Sequence, residues 1–318
     1  MLLSTILRRQ QQQKQHLPTL CQRGTTALFL MILSSRDSAA MTTNAAPNAT
    51  TLTPTDFYVI AREHGKVRSD LPVWASKQMD PFQLGENQQK ITDNGESCVA
   101  MERRNVKGVP GAFQILNVFS KEETQRMVDK FEELGFTEDA AVSLPRSVRH
   151  NSNLNWIADD RTLEIIWDRC KDFFSDDNDE GGVNNDKKPL GLNGKFRVYR
   201  YEPNDFFKIH TDGSWPGSRV VNGKMVVNSF VDRWSMYSFL VFLSQDFEGG
   251  ETEFLVNKFN LALPARNMQE AETIGIRTPV GGVLCFPHGE HPLHCLHASA
   301  TITKGVKYII RSDVLFEL

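Results

Sequence analysis

The chain has 318 residues, 40% of them hydrophobic and 24% charged, with a formal net charge of -3. That is globular composition with enough apolar material for a sizeable core, and the near-neutral charge gives no electrostatic reason to expect a nucleic-acid partner. Five cysteines, at 21, 98, 170, 285 and 295, are odd in number, scattered, and without a C-x-x-C pair, which speaks against a disulfide framework.

Residues 1–52 read as a disordered or targeting tail. No acid precedes Asp37, while Arg8, Arg9, Lys14, Arg23 and Arg36 are present. The apolar run 27–33 is too short to span a bilayer, so no transmembrane span is expected. Three readings stand side by side: a mitochondrial presequence, a secretory signal with a long basic start, and an untargeted cytoplasmic tail with Met41 as the true start. The sequon at Asn48 matters only in the secretory case. A Thr/Ala/Asn/Pro-rich linker covers 41–55, and 53–107 reads as a weakly periodic peripheral segment with some helix.

From Val109 the pattern sharpens. "VPGAFQILNVF" has strand character. Ser120 and Glu123 then form a capping box, with Met127, Phe131 and Leu134 on one helical face and Gly135 as the stop. A second helix is predicted over Asp160–Phe174, with Leu163, Ile166, Trp167 and Cys170 on one face. The acidic, Gly/Asn-rich stretch 175–188 reads as a loop and lacks the full ligand pattern of a calcium loop. After 195 the period becomes two, in short aromatic and β-branched runs punctuated by turn residues. The fold class is therefore mostly β with flanking helices (α+β), a sandwich or barrel, with one domain over 108–318.

Chemistry concentrates in three places. In "FFKIHTDGS", His210 and Asp212 are two apart and point to one side of a strand. A later histidine would complete a two-histidine, one-carboxylate face, which suits non-haem Fe(II) but is also open to zinc. "HGEHPLHCLH" offers four candidates, His288, His291, His294 and His297, at a period of three that matches neither strand nor α-helix. Downstream, "KGVKYIIRSD" puts Lys307, Ile309 and Arg311 on one strand face. Cations beside a metal site oppose the metal unless an anion lies between them, and a dicarboxylate that chelates at one end supplies that anion.

"RYEPNDFFKIHTDGS", "FLVFLSQDFEGGETEF", "VGGVLCFPH" and "LHASATITKGVKYIIRSDVLF", in this order, resemble the catalytic domain of the 2-oxoglutarate- and Fe(II)-dependent dioxygenases, in particular the prolyl 4-hydroxylase-like branch. The resemblance covers about 108–318. It implies a double-stranded β-helix (jelly-roll) core, with His210, Asp212 and His297 as the catalytic metal ligands. It implies Lys307 as the residue that holds the distal carboxylate of 2-oxoglutarate, Arg311 as the reserve candidate, and Tyr201 as a tyrosine lining the cosubstrate pocket. Gly249 and Gly250 would serve the turn of a hairpin. The implied cofactors are Fe(II), 2-oxoglutarate as cosubstrate, O2 and ascorbate. The implied reaction converts 2-oxoglutarate and O2 to succinate and CO2 while hydroxylating an unactivated C–H, with Asp212 favouring hydroxylation over halogenation. The acceptor is read as a peptide or protein, with peptidyl proline one option and a small molecule another. A non-catalytic jelly-roll binding module and a mononuclear zinc hydrolase stay open. The stretch 215–234 is longer and more irregular than the motif order requires.

Overall fold

The computed structural model describes residues 56–85, 100–142, 144–174 and 187–318. The expected tail, Asn48, Cys21, Cys98 and nearly all of the acidic loop lie outside these residues. Before the first helix come strands β1 (Phe57–Glu63), β2 (Leu71–Ser76), β3 (Glu102–Asn105) and β4 (Phe113–Leu116). Helix α1 (Lys121–Leu134) follows, then β5 (Arg149–His150), β6 (Ser152–Ile157) and helix α2 (Asp160–Cys170) with a 3-10 turn over Lys171–Phe174. Next are β7 (Pro189–Leu192), β8 (Lys195–Tyr201), β9 (Phe206–His210), β10 (Arg219–Val221), β11 (Lys224–Val226) and β12 (Arg233–Phe242). The remainder is β13 (Phe247–Gly249), β14 (Thr252–Asn257), β15 (Ala271–Ile276), β16 (Val283–Pro287), β17 (Leu296–Ser299), β18 (Ile302–Gly305) and β19 (Lys307–Glu317).

Among the described residues, the large sheet runs β1-β2-β6-β8-β19-β12-β16-β4-β3, and a smaller one runs β15-β14-β17-β9-β5. Passing along the chain from β8, the strands cross repeatedly between the two sheets, which is the winding of a double-stranded β-helix. The peripheral segment differs from expectation. Its described part is strand, and β1 and β2 extend the large sheet through a parallel pairing of β2 with β6. The period-two signal there is weak because β1 is an edge strand with an irregular register between Val59 and Ala61. The long stretch 215–234 contains the hairpin β10–β11, closed by Asn222-Gly223 with both residues at positive φ.

Alternation on β19 explains both cores. Ile310, Val314 and Phe316 pack outward with Phe196, Phe239, Val283 and the helices. Ile309 packs inward, between the sheets, with Tyr199, Tyr201, Leu240, Phe254 and Phe286. Such strands are covered on both faces and read as nearly continuous apolar runs. Helix α1 carries the capping box as expected, buries Met127, Phe131 and Leu134, and ends on Gly135 at φ 83. Helix α2 is capped by Asp159 and buries Ile165 beside the expected Ile166 and Cys170. No helix among the described residues is long and apolar enough to cross a membrane.

Glu123 ties the helices together. Its carboxylate closes the α1 cap by accepting from Ser120 N–H and pairs with Arg169 at 2.8 Å, and its side chain is only 2% exposed. Arg169 also donates to the Leu84 and Val118 carbonyls. Removing one member of a buried pair strands the other charge, so Glu123→Ala is expected to destabilise the fold by about 3–5 kcal/mol. Equilibrium denaturation measures this; a loss within about 0.5 kcal/mol, ordinary for a surface change, would contradict it.

Candidate metal centre

Strands β9 and β17 pair antiparallel with His297 opposite His210. This register puts the two imidazoles side by side on neighbouring strands, ring centroids 4.2 Å apart and ring planes tilted by 53°. Asp212 follows the end of β9, with Oδ1 at 3.8 Å from His210 Nε2 and Oδ2 at 3.7 Å from His297 Nε2. One ligand atom from each of the three residues lies within 4.8 Å of the other two. The long sequence separation is closed by one strand pairing.

The imidazoles are held in the tautomer a metal needs. His210 Nδ1 lies 2.8 Å from the Lys208 carbonyl, and His297 Nδ1 lies 3.3 Å from the Cys295 carbonyl. A carbonyl only accepts, so each Nδ1 carries the proton and each Nε2 keeps its lone pair toward the centre. Burial, with the adjacent His297, lowers the His210 pKa to about 3, and burial likewise lowers that of His297, so both rings are neutral. Phe207 stacks on His210 at 3.6 Å and Phe286 packs against His297 at 4.6 Å, fixing both rings.

Asp212 is anchored through one oxygen. Ser238 Oγ donates to Oδ2 at 2.6 Å, and Arg311 Nε sits 3.3 Å from the same oxygen in an ion pair. Burial pushes the Asp212 carboxyl up, but the Arg311 guanidinium outweighs it and holds the group well below the usual carboxylate range. Behind Ser238 the chain of donors has one consistent direction. Ser238 has spent its proton on Asp212, so His288 Nδ1–H donates to Ser238 Oγ at 2.9 Å. His288 Nε2 then accepts from Ser235 Oγ at 2.8 Å, and Ser235 Oγ accepts from Trp215 N–H at 2.8 Å. Burial lowers the His288 pKa to about 4, which keeps the ring neutral as this chain requires.

The period of three in the histidine run is a turn repeat. His291 N–H donates to the His288 carbonyl and His294 N–H to the His291 carbonyl, two successive i to i+3 turns. His291 and His294 therefore belong to the loop before β17, as expected, with His291 buried. Only His297 joins His210 and Asp212.

Lys307, Ile309 and Arg311 share the inner face of β19, opposite Tyr201, Tyr199 and Arg197 of β8. Lys307 is 1% exposed, and its Nζ donates to the Gly250 carbonyl at 2.7 Å and Ser299 Oγ at 3.1 Å. The rings of Tyr201 and Phe242 lie 5.3 and 5.7 Å from Nζ. These partners are all neutral, and burial lowers its pKa to about 7. Arg311 differs: it pairs with Asp313 at 2.8 Å as well as with Asp212. Gly249 and Gly250 do not close a hairpin, because β13 pairs with β18 whereas β14 pairs with β15 and β17. Their positive φ, 72 and 68, makes the corner between sheets, and a Cβ on Gly249 would meet the Thr301 carbonyl at 2.2 Å. That corner aims the Gly250 carbonyl at Lys307. Glu251 bridges outward to Arg277.

The donor set fits a divalent metal: two neutral imidazole nitrogens and one ionised carboxylate converge, with their remaining polar atoms satisfied by the protein. Sequence reasoning missed Ser238, Ser235 and Arg197. The signal for Arg197 was in hand, because in "FRVYRYE" it shares the strand face of Tyr199 and Tyr201. Ser238 carries no such signal, since only the sheet register shows what it faces.

No protein-family model and no curated protein matches this sequence. Solved structures do. The viral collagen prolyl hydroxylase of Paramecium Bursaria Chlorella virus-1, in complex with 2-oxoglutarate, aligns over 67% of this chain and 100% of its own at 14% identity and a TM-score of 0.40. A prolyl-4-hydroxylase of Pseudomonas putida aligns over 64% of this chain and 92% of its own at 12% identity and a TM-score of 0.41. A prolyl hydroxylase of Trichoplax adhaerens, in complex with a hypoxia inducible factor peptide, aligns over 64% and 83% at 16% identity and a TM-score of 0.41.

Proposed function

We propose that the chain is a 2-oxoglutarate- and Fe(II)-dependent dioxygenase that hydroxylates an unactivated C–H. The observation that carries this is the pairing of the His210–Asp212–His297 face with a buried lysine that donates hydrogen bonds to two neutral oxygens, the Gly250 carbonyl and Ser299 Oγ. Ser299 links the two. It lies two residues after His297, on the same face of β17, roughly 7 Å along the strand. That separation suits a five-carbon diacid with one end at the metal and the other at Lys307. A zinc hydrolase has no use for a buried cation at that distance, and a binding module has no use for the tautomer locks.

Fe(II) held there would couple the oxidation of 2-oxoglutarate by O2, giving succinate and CO2, to hydroxylation of the acceptor. His210, Asp212 and His297 would hold it. Ser238 and Arg311 fix the Asp212 carboxylate by Oδ2. Lys307 anchors the distal carboxylate and so orients the cosubstrate, while Tyr201 and Phe242 keep water from its ammonium. Ascorbate, as a reductant of oxidised iron, and peptidyl proline, as the first acceptor to try, rest on the motif resemblance. Mass spectrometry of candidate peptides and small molecules for an added oxygen, dependent on both Fe(II) and 2-oxoglutarate, tests the reading. Oxygen transfer independent of 2-oxoglutarate would overturn it.

A further inference from the structure

A second cationic cluster lies on the same inner face, at the Asp212 end. Arg311 is four residues beyond Lys307 on β19, roughly 13 Å along the strand, so the two cations serve different ends of the site. Arg197 pairs directly across from Arg311, and its guanidinium lies over the Trp215 ring at 4.8 Å. The Arg197 side chain is 10% exposed, and its Nη1 has no hydrogen-bond partner; the nearest carboxylate oxygen, Asp313 Oδ2, is 3.6 Å away. Trp215 Nε1 is also buried without a hydrogen bond, whereas Arg311 Nε faces Asp212 Oδ2 at 3.3 Å. Two adjacent buried donors, Arg197 Nη1 and Trp215 Nε1, without a hydrogen-bond acceptor are unusual, because such groups ordinarily find partners.

Charge points the same way. The carboxylates acting on Arg197 and Arg311 are Asp212 and Asp313. With a divalent metal bound, the metal, Lys307, Arg197 and Arg311 carry five positive charges. Asp212, Asp313 and the 2-oxoglutarate dianion carry four negative ones. Glu251 is partly exposed and paired to Arg277. One positive charge is left over, and Arg311 is paired closely with Asp212 and Asp313, at 3.3 and 2.8 Å, whereas Arg197 approaches Asp313 only to 3.6 Å. The Trp215 backbone, through its N–H, is tied to Asp212 by way of Ser235, His288 and Ser238.

We infer that Arg197, backed by Arg311 and Trp215, is the acceptor subsite, and that the molecule hydroxylated carries a carboxylate close to the carbon attacked. The inference rests on the dioxygenase reading. A planar guanidinium suits a carboxylate, and a nearby indole N–H supplies a further donor to it.

The full chain, loaded with Mn(II) under anaerobic conditions and saturated with 2-oxoglutarate, tests this without turnover. Paramagnetic broadening of probe proton signals reports binding near the metal. The probes are N-acetyl amino acids, short peptides ending in a free carboxylate, and end-blocked peptides carrying Asp or Glu, each beside its amide counterpart. The expected result is broadening of acids in at least one arm, with their amides at least tenfold weaker and this preference lost in Arg197→Met. The responding arm identifies the source of the carboxylate. Trp215→Phe, which keeps the ring and removes the N–H, is expected to weaken the same acids and serves if Arg197→Met does not fold. Acids and amides that bind alike, or a preference that survives both substitutions, would overturn the subsite and leave the dioxygenase reading standing. Failure of Mn(II) to bind would overturn that reading and the subsite with it.

Discussion

Asp212→Ala is expected to abolish Fe(II) binding and with it all oxygen transfer. Asp212 is the single anionic member of the proposed ligand set, beside two neutral imidazoles. Loss of an outer partner of a metal ligand typically lowers affinity roughly 10–100-fold, and loss of the anionic ligand itself exceeds that. The substitution also leaves Arg311 with Asp313 alone, at a site where both arginine and aspartate are buried. Removing one member of such a pair costs on the order of 3–5 kcal/mol, so the apo variant should also melt earlier. Asp212→Asn separates the effects, because it retains an acceptor for Ser238 and removes the charge. Metal analysis after anaerobic loading, with circular dichroism as the check on folding, reads both. An Asp212→Ala protein that retains stoichiometric iron would contradict the assignment.

Lys307 is expected to control 2-oxoglutarate alone. Truncating one partner of a buried charge pair costs roughly 2–5 kcal/mol, so Lys307→Ala should raise the KM for 2-oxoglutarate about 30-fold or more. The pH dependence follows from the lysine's pKa, lowered by burial from 10.5 to about 7 in the free protein. The bound dianion favours the ammonium and raises that pKa again. Binding above pH 7 therefore takes up a proton, and affinity should fall about tenfold per pH unit there. Lys307→Arg, charged throughout, should flatten the profile. The unliganded fold shows the reverse side of this. A group whose folded pKa lies below its unfolded value penalises stability below the folded pKa, and the penalty is relieved as pH rises from about 7 toward 10.5. At pH 6, without cosubstrate, Lys307→Met should therefore be more stable than wild type, by at most on the order of 4–5 kcal/mol. A flat wild-type profile for 2-oxoglutarate, or a Lys307→Met protein that is less stable at pH 6, would count against Lys307 as the distal anchor.

The local chemistry of this chain was legible in its sequence because it depends on neighbours in sequence. The Ser120–Glu123 cap and the inner face of β19 follow from helical and strand periodicity, while Asp212 meets His210 from the segment just past the end of β9. What was not legible depends on register between distant strands. That Ser238 would face Asp212, or that Gly249 and Gly250 would turn a corner between sheets, requires knowing which strands are partners. In the described part of 56–107 the strands were not legible, because an irregular edge strand blurs the alternation. The even spacing of four histidines was misleading by itself. Successive turns produce it, and the one histidine among them that meets His210 and Asp212 is the one that falls on β17.

The central claim is that one metal and one diacid share the space between His210, Asp212, His297 and Lys307. Succinate formation from 2-oxoglutarate by anaerobically purified, metal-analysed protein, on admission of O2, tests it most directly. The account predicts succinate that requires Fe(II), is not supported by zinc, and is lost in Asp212→Ala. Tightly bound zinc in the wild-type protein, together with indifference to 2-oxoglutarate, would contradict it.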